Sequence, residues 1–329
     1  MTYTAKKDRY EGKMPYVRCG KSGLYLPKIA LGLWHNFGDM DDYNNAEKII
    51  HKAFDNGITH FDLANGYGPG PGAAEITFGK ILKGMKNYRD EMIISTKAGY
   101  KMWEGPYQDG GSRKYLMSSV DQSLQRMGLD YVDIFYSHRY DPNTPVEETA
   151  MALSDIVRQG KALYVGISNY PVEETRKMLW LLAENKTPCL IYQGKYNMFV
   201  RDAEQGLFDV LEESGVGYIA FSPLAQGILS DKYMKGIPQK SRAANPNGFL
   251  QREEITSAVM DKVMRLNEIA KRRGQTLSQM ALAWVLRRDV VCTALVGVSS
   301  PKQLEINMKA AQNMTFTGEE IMLIEDILR

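Results

Sequence analysis

The chain has 329 residues, 44% of them hydrophobic and 24% charged, and its 41 basic residues against 39 acidic give a net charge of +2. Such a composition belongs to an ordinary globular protein and excludes a largely disordered one; the balanced, scattered charge points to no nucleic acid and no membrane surface as partner. Cys19, Cys189 and Cys292 are odd in number and lack any C-x-x-C spacing, so no disulfide framework and no metal site is expected. Residues 1–10 lack the apolar core of a signal peptide, and no stretch approaches the ~18 apolar residues of a membrane span, so the expected location is cytoplasmic.

In chain order, two short runs of β-formers around Gly20-Lys21-Ser22-Gly23 predict an N-terminal β-hairpin. Apolar runs suited to buried parallel strands then recur at 29–33, 57–61, 92–96, 132–136, 162–167, 190–193, 217–221 and 293–296. Helix-period segments fall between them at 46–55, 74–82, 114–127, 146–159, 172–184 and 203–214, with two more at 256–273 and 277–287. About eight strand–helix alternations in one chain of this length predict an α/β fold of the (β/α)8 TIM-barrel class, with residues 1–329 forming one domain. The rival, a doubly wound sheet, would carry Gly-x-Gly-x-x-Gly after its first strand. Here that strand runs into Leu31-Gly32-Leu33-Trp34-His35 instead. The Gly68-Pro69-Gly70-Pro71-Gly72 run reads as a stiff loop rather than a phosphate loop, because proline has no N–H to give. Roughly seventy residues separate Phe221 from Thr293, so a long loop, which includes Ser241-Arg242-Ala243-Ala244-Asn245, is expected to cover the ligand face after strand 7.

Three of the apolar runs end on a polar residue: Asp62, Lys97 and His138. A carboxylate at the end of a buried run requires a cation partner, and in a barrel all three side chains would converge on one mouth, with Tyr67 on the loop beside them. An ammonium near Tyr67 would favour phenolate and so make the phenol a better acid, while Asp62 fixes Lys97 and His138 orients a carbonyl oxygen. Plainer roles stay open for each residue alone: a helix cap for Asp62, rim packing for Tyr67, a solvated charge for Lys97. His51 and His60 read as structural.

The motifs Phe61-Asp62-Leu63-Ala64-Asn65-Gly66-Tyr67-Gly68, Ile94-Ser95-Thr96-Lys97-Ala98-Gly99, Tyr136-Ser137-His138-Arg139, Val165-Gly166-Ile167-Ser168-Asn169 and Phe221-Ser222-Pro223-Leu224 resemble those of the aldo-keto reductase superfamily, in order and over nearly the whole chain. The stretches 33–38, 99–107 and 110–116 are similar to its bacterial L-glyceraldehyde 3-phosphate reductase group, which is related to potassium-channel β-subunits. The resemblance implies NADPH-dependent reduction of small aldehydes such as glyceraldehyde 3-phosphate, methylglyoxal or short aliphatic aldehydes. It makes Asp62, Tyr67, Lys97 and His138 catalytic, with Tyr67 the proton donor. For the cofactor it implies Trp34, Asp62, Ser168, Asn169, Gln193, Phe221, Ser222, Pro223, Leu224, Gln226, Gly227, Lys232 and Arg242. The 2′-phosphate end falls on Gly297, Ser299, Ser300, Gln303 and Asn307. Two positions depart from the usual pattern: Ser300 stands where many relatives have Arg or Lys, and Ile306 where many have Glu.

Substrate contacts are expected from Trp34, His35, Trp103, Tyr107 and Arg139, with Phe37 in the same aromatic wall and Lys101 or Arg113 as further phosphate contacts. A homo-oligomer is compatible with all of this. Two other functions are open from sequence: a class I aldolase using Lys97 as its Schiff-base amine, and an NADP-binding regulatory subunit with little turnover.

Overall fold

The structure is a computed structural model that describes residues 3–12, 14–68, 70–239, 241–244 and 250–329. Pro69 and Asn245, which belong to stretches singled out above, lie outside the described residues. An antiparallel pair, β1 (Tyr16–Arg18) and β2 (Tyr25–Pro27), precedes the main fold. Eight strands follow: β3 (Ile29–Gly32), β4 (His60–Asp62), β5 (Ile93–Ala98), β6 (Val132–Ser137), β7 (Ala162–Ser168), β8 (Ile191–Lys195), β9 (Gly217–Phe221) and β10 (Val291–Val296). All eight pair in parallel with their chain neighbours, and β10 returns to β3, closing the barrel that the alternation predicted.

Helices α1 (Tyr43–Phe54), α2 (Ala73–Leu82), α3 (Arg113–Met127), α4 (Val146–Arg158), α5 (Val172–Glu184) and α6 (Leu207–Ser214) follow β3 to β8 in turn. Their ends obey local chemistry. Ser112 caps α3 by accepting from the Tyr115 N–H, and Gly128 ends it at φ 67°, where a side chain would be strained. Beyond β9 come short 3₁₀ turns, then α7 (Ser257–Arg272) and α8 (Leu277–Val285) before β10, and α9 (Pro301–Met308) and α10 (Gly318–Leu328) after it. Every residue of α8 is buried. No helix among the described residues is long and apolar enough to cross a membrane.

Most boundaries shift by a residue or two from the sequence reading, and three of the differences bear on the site or have a clear local cause. Gly57 at φ 80° closes the turn after α1, so the strand begins at His60 and Asp62 belongs to it. Lys97 likewise sits inside β5, and only His138 follows its strand. The helix expected over 203–214 is broken at Gly206 (φ 90°), which leaves a single 3₁₀ turn, Asp202–Glu204, ahead of α6. Strand alternation then decides what faces the barrel interior. Phe61 points outward onto Phe78 of α2, with ring centroids 5.5 Å apart, so His60 and Asp62 point in.

Candidate active site

Register puts Asp62 opposite Ser95, and Lys97 opposite Tyr136. Asp62 and Lys97, both 0% exposed, form a buried ion pair with Nζ 2.5 Å from Oδ2. A second Lys97 N–H goes to the Leu63 carbonyl at 2.7 Å, which leaves one of the three ammonium hydrogens uncommitted. Asp62 Oδ1 accepts from Ser95 Oγ at 2.7 Å and from Gln193 Nε2 at 3.1 Å. Lys97 Nζ stands 4.9 Å from the Tyr67 ring centroid, and the His138 ring lies 5.9 Å from that of Tyr67 at 73°. Sequence-distant Asp62, Tyr67, Lys97 and His138 therefore share one end of the barrel, as their strand positions suggested.

The electrostatics differ from the simple expectation for Tyr67. Burial first, then the Asp62 carboxylate, push its phenol well above the usual range. The Lys97 ammonium does not reverse this, because Asp62 at 2.5 Å cancels most of its field at the phenol. Burial also pulls Lys97 below its usual range, against the opposing pull of Asp62. Burial, helped by Lys97 and Arg139, holds His138 neutral far below the usual histidine range. His138 Nδ1 is buried and lacks a partner among the described residues.

All four histidines share one direction: burial lowers His51, takes His35 and His60 to about 4, and takes His138 well below its usual value. The unfolded chain takes up these protons below about pH 6.5 while the folded one does not, so protons favour unfolding. The stability they contribute is full above about pH 6.5 and is lost as pH falls toward 4. Melting followed by circular dichroism should give a Tm that drops between pH 6.5 and 5, above the range where most carboxylates titrate. A Tm flat across that interval would contradict the burial of these imidazoles.

The remaining candidates divide into three groups. At the first group's site, Asn169 (φ 55°) donates its amide to the His138 carbonyl at 3.1 Å and to Ser168 Oγ at 3.0 Å, which places it beside buried Ser168 and Gln193. The second is the loop after β9, where Ser222, Ala225 and Gln226 all adopt positive φ (50°, 46° and 57°) ahead of Gly227 at 103°. Three non-glycine residues in the left-handed region are strained backbone of the kind found at ligand clamps. Lys232 and Arg242 follow, neither with a carboxylate partner among the described residues, and the residues outside that set include no Asp or Glu. Burial lowers both cations, and Arg242 further lowers Lys232. Arg242 reaches over the end of β10, its Nη2 3.9 Å from where a Cβ on Gly297 would stand. Phe221, Pro223 and Leu224 complete this loop's entry.

At the third, the start of α9, Ser300 caps the helix by accepting from the Gln303 N–H, and Gln303 Oε1 accepts from both the backbone and the hydroxyl of Ser299. Asn307, in the same helix, is buried with its Nδ2 unpaired among the described residues. Unpaired cations, strained loop and orphaned amide together fit a large anionic ligand laid across the mouth of the barrel.

On the substrate side, Trp34 joins Tyr67, with rings 6.1 Å apart, and lies against His35 at 4.3 Å with the rings tilted by 34°. Trp103 packs on Tyr115 at 5.2 Å, and Tyr107 is 59% exposed. Phe37 is fully buried in the core and lines no wall. Arg139 is committed to the Gly99 carbonyl at 2.8 Å and to Asp109 at 3.2 Å, and Lys101 and Arg113 pair with Glu104 and Asp155. Two residues passed over in the sequence join the site, Ser95 and Tyr100, whose ring meets His138 at 4.7 Å, and with them comes His60, read above as structural, whose Nε2 lies 3.0 Å from Ser95 Oγ.

The family model described as aldo/keto reductase family matches residues 28–329. Two relatives named L-glyceraldehyde 3-phosphate reductase, from Escherichia coli K12 and from Escherichia coli O157:H7, are each 55% identical over 330 residues, covering 99% of this chain and 95% of the relative. With a closed parallel barrel, a matching family model and this identity over the full length, the chain belongs to the aldo/keto reductase family.

Proposed function

We propose that this chain, with residues 1–329 working as one domain, reduces small aldehydes to alcohols with NADPH, glyceraldehyde 3-phosphate foremost among its substrates. One observation carries the reading: Tyr67 stands at the barrel mouth beside a buried Asp62–Lys97 pair and His138, and its hydroxyl has no hydrogen-bond partner among the described residues. Bound nicotinamide would supply a hydride. Tyr67 holds the proton for the carbonyl oxygen, His138 Nε2 orients that oxygen, and Lys97 stabilises the phenolate left behind. Ser168, Asn169 and Gln193 would hold the carboxamide end, and Lys232 and Arg242 the phosphates. The aldolase alternative needs a free amine, whereas Lys97 is fully buried and held by Asp62 and the Leu63 carbonyl. The phosphate of the substrate has no free cation in Arg139, Lys101 or Arg113, each of which is already paired.

NADPH oxidation measured against glyceraldehyde 3-phosphate, methylglyoxal and short aliphatic aldehydes tests the reading, and turnover of none of them would end it. The KM for NADPH should lie below that for NADH; equal or reversed constants would reject the phosphate-bearing cofactor. Arg242→Ala should raise the NADPH KM about ten- to a hundredfold, the worth of a charge-assisted hydrogen bond to phosphate, with kcat little changed. The free variant should melt no lower than the parent, because the substitution relieves repulsion with Lys232 and breaks no ion pair. A lower Tm with unchanged KM would instead make Arg242 a structural residue.

A further inference from the structure

His60 and Ser95 play no part in the proton transfer proposed above, yet both face the barrel interior, and both are 0% exposed. Ser95 Oγ lies 2.7 Å from Asp62 Oδ1 and 3.0 Å from His60 Nε2. Chemistry fixes the direction of both contacts. A carboxylate only accepts, so the single hydroxyl hydrogen of Ser95 goes to Asp62. With that hydrogen spent, the hydroxyl can offer His60 only a lone pair, and the imidazole must carry its hydrogen on Nε2. His60 Nδ1 is sealed from solvent and has no partner among the described residues. A second hydrogen there would be a buried, unpaired N–H on a cation, which a dry interior disfavours. Burial accordingly takes His60 to about 4, with Asp62 opposing and Lys97 reinforcing, and these are the two charged groups that act on it.

We infer that His60 and Ser95 are positioning residues that keep the Asp62–Lys97 pair ionic: His60, locked as the neutral Nε2–H tautomer, orients the Ser95 hydroxyl, and Ser95 in turn donates to Asp62 Oδ1. With both groups shut off from bulk solvent, a carboxylate and an ammonium in contact can lose both charges by passing one proton between them. Donors on the carboxylate's far oxygen oppose that transfer by stabilising the charged form. Of the two donors on Oδ1, Gln193 belongs to the proposed nicotinamide contacts, whereas Ser95 has only internal partners. The chain His60–Ser95–Asp62–Lys97 thus preserves the cation that steadies the phenolate of Tyr67. The inference rests on the reading of Asp62, Lys97 and Tyr67 as the chemical machinery.

Two measurements test it. In steady-state reduction of an aldehyde that the parent enzyme turns over, Ser95→Ala and His60→Leu should each lower kcat about tenfold or more, with KM for aldehyde and NADPH within about twofold. Ser95→Thr, which keeps the hydroxyl, and His60→Gln, which keeps an N–H within reach, should return kcat to within about threefold of the parent. Ser95→Ala with an unchanged kcat, or Thr and Ala equally impaired, would overturn the inference. Independently of turnover, ¹⁵N NMR of the parent protein, with His60 assigned by its loss in His60→Gln, should show a protonated Nε2, a bare Nδ1 and no titration from pH 8 to 5. An Nδ1–H tautomer or an imidazolium in that range would equally overturn it. Should the parent reduce no aldehyde, the proposed function fails while the NMR result still decides the hydrogen-bond chain.

Discussion

Tyr67→Phe should cost about three orders of magnitude in kcat for aldehyde reduction while leaving NADPH affinity and folding stability close to the parent. A positioned general acid contributes roughly 10²–10⁴-fold, and a thousandfold corresponds to about 4 kcal/mol of transition-state stabilisation. Only the transferable proton leaves: the ring keeps its neighbours Trp34 and His138, and the hydroxyl forms no internal hydrogen bond among the described residues whose loss would destabilise the fold. The raised phenol pKa belongs to the same argument. Before substrate arrives, burial and Asp62 keep Tyr67 fully protonated at neutral pH, so the acid is always loaded. In the proposed reaction it becomes strong enough only as the carbonyl oxygen acquires charge and the remaining Lys97 N–H can turn to the phenolate. Single-turnover reduction with pre-bound NADPH, alongside a fluorescence titration of the cofactor, separates the two effects. Retention of more than a tenth of the parent kcat would remove Tyr67 as proton donor.

How much of this could be read in the sequence depends on where each signal lies. A charged residue inside or at the end of an apolar run is conspicuous because it violates the run, and Asp62, Lys97 and His138 announced themselves that way. The barrel followed from rhythm, which survives errors of two or three residues at each strand; that is why misplacing the start of β4 at Gly57 cost nothing in topology. Ser95 and His60 gave no such signal. A serine two places before Lys97 in a β-run is ordinary, and its meaning comes from lying opposite Asp62, a matter of sheet register. Loop aromatics are ambiguous for the same kind of reason. Trp34 and Phe37 lie three residues apart, yet one meets Tyr67 and the other vanishes into the core, because the chain between them turns through Asn36 at φ 71°. The capping box that opens α10, Thr317 with Glu320, was legible in principle and passed over. That Lys232 and Arg242 have no acidic partner among the described residues could not have been read from sequence at all, since pairing is decided by side chains distant along the chain.

The Asp62–Lys97 pair yields the largest expected effect on stability. Lys97→Met strands a carboxylate at a site with 0% exposure, with only the neutral donors Ser95 and Gln193 left to it, and Asp62→Asn strands an ammonium with the Leu63 carbonyl. Breaking a buried pair from one side costs roughly 3–5 kcal/mol, against a total of about 5–15 kcal/mol for a typical domain. Either single substitution should therefore shift the urea midpoint sharply downward and abolish turnover as well. The double variant Asp62→Asn, Lys97→Met leaves no unpaired charge, so it should recover much of the lost stability, with a coupling well above the ~0.5 kcal/mol of independent sites. Its activity should stay lost, because the cation proposed to stabilise the Tyr67 phenolate is gone. A double variant as unstable as the sum of the singles would mean that the two groups do not act as a pair, and one that regained turnover would mean that the pair serves the fold and not the chemistry. A stable but inactive double variant is the one outcome that assigns the ion pair to both, with the stability cost arising only when a single charge is left behind.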